Sequence, residues 1–289
     1  MAGIRAVKFK ARALVILSKL IKRFNRPVKG ISTVKNARYA KDKQNKLDIM
    51  RKDGLVGAPC VFYMHGGGWS AFDKDVFRTT CKRLAECGTL VFNCNFRLAP
   101  KYSLEHMLED AAQAFRFIVE NAEKYGGDAR RIILAGDSAG AHILSLFINR
   151  AIEEGNEDIV CRVKGCTFFY GVYDLDTLRY TGFKNLEAYL NAVIPPDTDD
   201  YEEVLKKYSP IRLVNGKHPP AFICCGEVDH VSESQSKEYL KALGTCGVKT
   251  QSLIFPKEYA YAKHRFINYD YNPASVKAFE EFKNFIENI

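Results

Sequence analysis

One stretch limits the folds open to this chain more than any other. Arg131-Ile132-Ile133-Leu134-Ala135 is short, apolar and β-branched, the pattern of a buried strand. Ala141-His142-Ile143-Leu144-Ser145-Leu146-Phe147, a little further on, can be read with helical spacing. Between them lies Gly136-Asp137-Ser138-Ala139-Gly140. A strand that turns so tightly into a helix is part of a βα repeat, and such repeats build a parallel sheet covered on both faces. The serine stands at the tip of the turn. G-x-S-x-G is the nucleophile elbow, in which small neighbours permit the turn and the turn lifts the hydroxyl clear of the backbone. Gly, Asp and Ser also suit such turns for geometry alone, so a chemical role needs partners elsewhere in the chain.

A second motif supplies one. Pro59-Cys60-Val61-Phe62-Tyr63-Met64 reads as another buried strand and runs into His65-Gly66-Gly67-Gly68-Trp69. Glycines leave backbone N–H groups open to close approach. In acyl transfer, the amides of Gly66, Gly67 and Gly68 would hold the oxyanion, and the N–H of Ala139 would complete the hole.

A serine hydroxyl is a weak nucleophile until a base takes its proton. Of six histidines, His65 belongs to the glycine turn, His106 to a surface helix and His218 to a loop before Pro219-Pro220. His142, inside the helix leaving the elbow, reads as a helix-surface or packing residue. His230 and His264 remain. Chains with this elbow place serine, acid and histidine in that order, and Ser138, Asp229 and His264 fit it. Asp229 would hold the imidazole in the useful tautomer and stabilise the imidazolium. His230 would pack beside the acid loop.

The chain resembles the hormone-sensitive-lipase-like carboxylesterases of the α/β-hydrolase fold over residues 58–289. The resemblance rests on HGGGW at 65–69, Phe96-Arg97-Leu98-Ala99-Pro100 and GDSAG at 136–140. It continues through Ser209-Pro210-Ile211, Pro219-Pro220-Ala221, Gly226-Glu227-Val228-Asp229 and His264-Arg265-Phe266. It implies a mostly parallel, eight-stranded sheet with a helical cap. It also implies Ser138, Asp229 and His264 as nucleophile, acid and base. Two departures stand out. The acid run is Asp229-His230-Val231-Ser232-Glu233, which leaves Glu233 as a weaker acid candidate. The family's His-Gly-Phe becomes His264-Arg265-Phe266, which sets a guanidinium beside the base. HGGGW followed by Asp73-Lys74, with His142 after the elbow, is also similar to esterases and formamidases of neighbouring branches.

Strands are expected near 46–51 at a mixed edge and then near 59–64, 89–94, 131–136, 164–170, 220–225 and 250–255. Helices are expected over Phe77–Cys87, Leu104–Lys124, Ala141–Glu153, Ser234–Leu243 and from Pro273 to the end. The interval 172–218 breaks the alternation with Tyr173, Leu175, Tyr180, Phe183, Tyr189 and Leu190 and then acidic residues. It is expected to be a cap inserted into a hydrolase domain of residues 46–289.

Charge is uneven. Residues 1–52 hold 16 of the 43 Lys and Arg but only 2 of the 34 Asp and Glu. Residues 1–45 are expected to form a basic segment, with a helix over 4–24 that packs in the cap, lies on a membrane surface or serves as a targeting segment. No apolar run is long enough to span a membrane. The basic stretch lacks the aromatic interleaving of nucleic-acid binders. Nine cysteines without a C-x-x-C pair suggest free thiols in a reducing, cytoplasmic setting and argue against zinc.

The expected activity is a serine carboxylesterase acting on short-chain, acetyl-like esters, with no metal or organic cofactor. An arylformamidase-type amidase using the same residues is the alternative. A non-catalytic ligand-binding protein on the same fold is the third reading, disfavoured because His264 is present.

Overall fold

The computed structural model describes Ala13 and residues 28–181, 186–229, 231 and 233–289. The strands are β1 (Ile31–Arg38), β2 (Lys46–Lys52), β3 (Ala58–Met64), β4 (Leu90–Cys94), β5 (Gly127–Asp137), β6 (Val163–Phe169), β7 (Ala221–Gly226) and β8 (Thr250–Phe255). They form one sheet in the order β1-β2-β4-β3-β5-β6-β7-β8. β1–β2 and β2–β4 pair antiparallel, and every other pair is parallel. The expected α/β-hydrolase sheet is therefore present.

The described helices are α1 (Arg78–Glu86), α2 (Leu104–Asn121), α3 (Ala139–Glu153), α4 (Glu157–Val160), α5 (Leu175–Leu178), α6 (Leu186–Val193), α7 (Tyr201–Lys207), α8 (Glu233–Thr245) and α9 (Pro273–Glu287). Side chains alternate across a strand, and the central strands are apolar on both sides. Cys60, Phe62 and Met64 of β3 join Ile132 and Leu134 of β5 in one core with residues of α2, α3 and α8. Val61 and Tyr63 join Ile133 and Ala135 in a second core with residues of α1 and α9. Each sheet face thus has its own apolar layer, which is why these strands read as continuous hydrophobic runs.

The boundary expected at 45/46 needs correction. Ile31–Arg38 is the sheet's edge strand, not part of a separate segment. It carries Lys35, Asn36 and Arg38 and is largely exposed, so no hydrophobic run marks it, as is common for edge strands. Its register shifts between Val34 and Ala37, where Asn36 takes φ 59° and its N–H donates to Asp48 Oδ1 at 2.9 Å. The helix expected over 4–24 lies outside the described residues apart from Ala13. Among the described residues no helix is long and apolar enough to cross a membrane.

Asp48 of β2 is fully buried yet charged. Lys74 Nζ lies 2.8 Å from its Oδ1 and Arg78 Nε 2.7 Å from its Oδ2. Both cations also pair with Asp75. Two cations against two carboxylates close the charge balance, and removing any one would strand a buried charge. The network fixes the short helical turn Lys74–Phe77, which leads away from the glycine loop.

Candidate active site

Four parallel strands deliver the site at their C-terminal ends, where open α/β sheets place ligands. β3 runs into the glycine loop, β5 into the elbow, β7 into Asp229 and β8 into the loop carrying His264. The structure brings Ser138, His264 and Asp229 together. His264 Nε2 lies 3.1 Å from Ser138 Oγ. Its Nδ1 lies 2.7 Å from Asp229 Oδ2. Asp229 is buried, and its Oδ1 accepts the Val231 N–H at 3.1 Å. With the carboxylate on Nδ1, the Nε2 lone pair faces the hydroxyl, the geometry a general base needs. Glu233, the other acid candidate, instead pairs with Lys237 at 2.9 Å and opens α8. His230 lies outside the described residues.

The backbone around the site is strained. Ser138 sits at φ 51°, ψ −119°, a conformation that costs a non-glycine residue about 1–3 kcal/mol. Trp69 (φ 56°), Phe72 (φ 75°), Tyr170 (φ 39°) and Arg265 (φ 71°) share the positive-φ condition. Ser138 N–H donates to the Phe169 carbonyl at 3.0 Å, which anchors the elbow on the end of β6.

The glycine loop divides its amides. Gly66 N–H donates to Asp137 Oδ1 at 2.8 Å, so the expected oxyanion role of Gly66 is corrected: its donor is already committed. The amides of Gly67, Gly68 and Ala139 have no acceptor among the described residues. Gly67 (φ 138°) and Gly68 (φ 55°) adopt conformations that disfavour side chains. A Cβ there would also collide with the Ala71 carbonyl and the Tyr189 ring respectively.

Asp137 is the unassigned position of the G-x-S-x-G motif, and it is wholly buried. Burial pushes its pKa above the ordinary carboxylate range, against the pull of the Tyr63 hydroxyl and the Gly66 N–H. Tyr63 donates to it at 2.7 Å, and the Tyr170 hydroxyl lies at 3.4 Å. One carboxylate therefore ties the elbow to the glycine loop. The available signal was an acid directly after a buried strand, which demands buried partners.

Of the two readings of His142, helix-surface or packing, the structure supports packing. The residue is fully buried, and Trp69 Nε1–H donates to its Nδ1 at 3.1 Å. Its Nε2 lies 2.8 Å from the Tyr208 carbonyl, a pairing that requires the Nε2–H tautomer. Burial lowers its pKa to about 4. It is thus a neutral brace between the glycine loop and the segment joining β6 to β7. His65 stacks on Phe77 with ring centres 5.2 Å apart and packs against Phe96; His218 is buried beside Tyr239. His106 shares the N-terminal capping box of α2 with Ser103.

The serine opens into a cavity of about 160 Å³, lined by Phe72, Val172, Leu186, Tyr189, Val231 and Arg265 in addition to the residues above. Among the described residues no cluster of three or more His, Cys, Asp or Glu side chains could hold a metal ion. All nine cysteines are free thiols.

Residues 61–267 match the family model described as alpha/beta hydrolase fold. The chain belongs to the α/β-hydrolase fold family. The esterase names among its relatives agree with the hormone-sensitive-lipase-like resemblance. Esterase LipQ of Mycobacterium tuberculosis is 29% identical over 233 residues, covering 78% of this chain and 55% of the relative. Isoprenylcysteine alpha-carbonyl methylesterase ICME of Arabidopsis thaliana is 30% identical over 234 residues, covering 75% and 54%. The chain thus spans about half the length of these curated relatives. Ethyl acetate hydrolase of Pseudomonas putida is 27% identical over 219 residues, covering 71% and 66%. In fold, the chain is similar to esterase B of Lactobacillus rhamnosis, with a TM-score of 0.83 at 22% identity, covering 100% of this chain and 96% of that one.

Proposed function

We propose that the protein is a serine carboxylesterase that hydrolyses short-chain esters. The observation that carries this reading is His264, which touches Ser138 Oγ on one nitrogen and Asp229 on the other. In the proposed reaction His264 takes the Ser138 proton as Oγ attacks the ester carbonyl. The oxygen gains negative charge and moves onto the N–H groups of Gly67, Gly68 and Ala139. Such donors, aimed where charge develops, stabilise the transition state more than the ground state. The tetrahedral intermediate collapses, and His264 returns the proton to the departing alcohol. Water, deprotonated by His264, then attacks the acyl-serine, and the carboxylic acid leaves as Ser138 regains its proton. Asp229 stays ionised throughout and stabilises the imidazolium.

Cavity size supports a short acyl group. About 160 Å³ is below the roughly 300–1,000 Å³ of pockets for drug-sized ligands. We read residues 172–218 as the cap, with Leu186 and Tyr189 of α6 limiting acyl length. The name of the P. putida relative, ethyl acetate hydrolase, points the same way. A panel of p-nitrophenyl esters from acetyl to palmitoyl tests the reading, together with organophosphate labelling and mass spectrometry. Fastest turnover is expected at two to six carbons (roughly, from the pocket volume), with the label on Ser138. Labelling at another serine would overturn the nucleophile, and faster turnover of palmitoyl than butyryl ester would overturn the size limit.

A further inference from the structure

We propose that Arg265 selects esters carrying a carboxylate on the small group that enters the cavity. This deepens the esterase reading and rests on it. Arg265 directly follows His264 and lines the same cavity as Ser138. Its guanidinium lies 4.6 Å from the centre of the Phe72 ring, a face that holds a cation flat and in place. No hydrogen bond or ion pair joins it to any described residue, and its Nε is buried without a partner. Arg265 as a whole is half-buried, but its Nε is fully so, a guanidinium keeps its charge, and buried donors are nearly always satisfied. An orphaned donor in the wall of a reaction cavity therefore calls for an acceptor that arrives with the ligand.

The backbone adds a second, independent observation. Arg265 stands at φ 71°, a conformation glycine adopts freely and arginine only under strain. The chain keeps a large cation where the local geometry favours no side chain. The carboxylate among the lining residues is Asp137, whose oxygens face Tyr63, Gly66 and Tyr170. It offers Arg265 electrostatic attraction without a hydrogen bond. The cavity is otherwise apolar above the serine, with Val172, Leu186 and Val231. A neutral ester brings no anion to the guanidinium there. An ester with a carboxylate would form the two parallel N–H···O bonds for which a guanidinium is shaped.

The test compares matched substrates by pH-stat. On the acyl side, monomethyl succinate is set against methyl butanoate. On the alcohol side, O-acetylglycolate is set against ethyl acetate. The wild-type protein is expected to favour the carboxylated ester in at least one pair, by a kcat/KM ratio on the order of 10- to 100-fold and mainly through KM. The favoured pair tells whether the charge sits on the acid or the alcohol. Arg265→Gln and Arg265→Gly should each collapse that ratio by about tenfold or more, and Arg265→Lys should retain part of it. The ratio cancels any change the missing charge makes to His264, because that change acts on both esters alike. If the glutamine variant fails to fold, the glycine variant, which suits φ 71°, carries the test.

A wild-type ratio at or below one in both pairs would overturn the proposal. So would a preference that survives both neutral substitutions, or equal loss on charged and neutral esters, which would mark Arg265 as mere balance for Asp137. Those outcomes leave the esterase reading standing. Failure to hydrolyse any of the four esters would overturn the esterase reading and this proposal with it.

Discussion

The cavity has a floor and a roof, and they are fastened differently. The floor is the glycine loop with the elbow. Trp69, His65, Asp137 and His142 are all at or below 1% exposure, and buried hydrogen bonds join the loop to β5 and α3. The roof is the stretch between β6 and β7, and it is held at its roots. Gln235 of α8 accepts the N–H groups of Tyr173 and Asp174 at 2.8 Å and donates to Thr177. Tyr173 stacks on Tyr239 with ring centres 4.1 Å apart. Ser209 accepts the Leu175 N–H at 2.8 Å and closes the other root. Farther out, Arg179 pairs with Asp176 and Glu202 at the surface, where such pairs contribute little. On the proposed reading, the contrast assigns reaction rate to the floor and acyl length to the roof.

The comparison breaks most sharply at the nucleophile. Ser138→Ala should lower turnover of p-nitrophenyl butyrate by on the order of 10⁴- to 10⁶-fold with an unchanged melting temperature. Residual activity above that range would remove Ser138 from the reaction. Next is Gly67→Val, whose side chain meets the Ala71 carbonyl. A loss in kcat of about 10²–10³-fold is expected from a displaced donor. Near-normal kcat in a folded variant would contradict the oxyanion assignment.

Asp137→Ala tests whether the floor acts as a unit. It strands the Gly66 N–H and the Tyr63 hydroxyl, so stability should fall by about 1–3 kcal/mol in urea unfolding. A loss in kcat of about 10²-fold should accompany it as the loop shifts. Loss of stability without loss of kcat would show that the loop holds its shape unaided.

His142 gives a pH signature. In the folded chain its pKa is about 4, against an ordinary 6.5. Above pH 6.5 neither folded nor unfolded chain protonates it, and its full contribution is present. As pH falls from 6.5 toward 4, the unfolded chain binds a proton that the folded chain refuses, and stability is lost. The loss reaches at most about 3 kcal/mol and levels off below pH 4. His142→Gln should therefore flatten the fall in melting temperature between pH 6.5 and 4. An unaltered slope would mean the imidazole is not held neutral. The smallest effect belongs to the roof. Tyr189→Ala should change kcat for butyryl ester by only a few fold, while raising the relative kcat/KM for octanoyl ester by about tenfold from the added apolar contact area. A large drop in kcat instead would move Tyr189 from roof to floor.

Much of this was legible because it is local. β3 through β7 are largely apolar runs, since both sheet faces are covered there, while β8, at the far edge, opens on polar Thr250-Gln251-Ser252 and shows only in Leu253-Ile254-Phe255. β1 shows no such run: as an exposed edge strand its side chains face water, and only its pairing with β2 defines it. The glycine loop and the elbow carry short-range geometric demands, so their residue types betray them. Asp229 and His264 could be proposed from chain order, but their meeting at 2.7 Å depends on two loops at the ends of neighbouring strands.

What the sequence determined by itself was the alternating fold class and the residues whose backbone or chemistry leaves no substitute, Ser138 and the glycines. The tertiary structure alone decided which polar groups are buried together. Asp137 with Tyr63, His142 with Trp69, Asp48 with Lys74 and Gly66 with a committed amide are all pairings between distant segments. No local pattern encodes them, because a polar side chain pays its desolvation cost only once folding has removed water and must then find whichever partner the packing brings within reach.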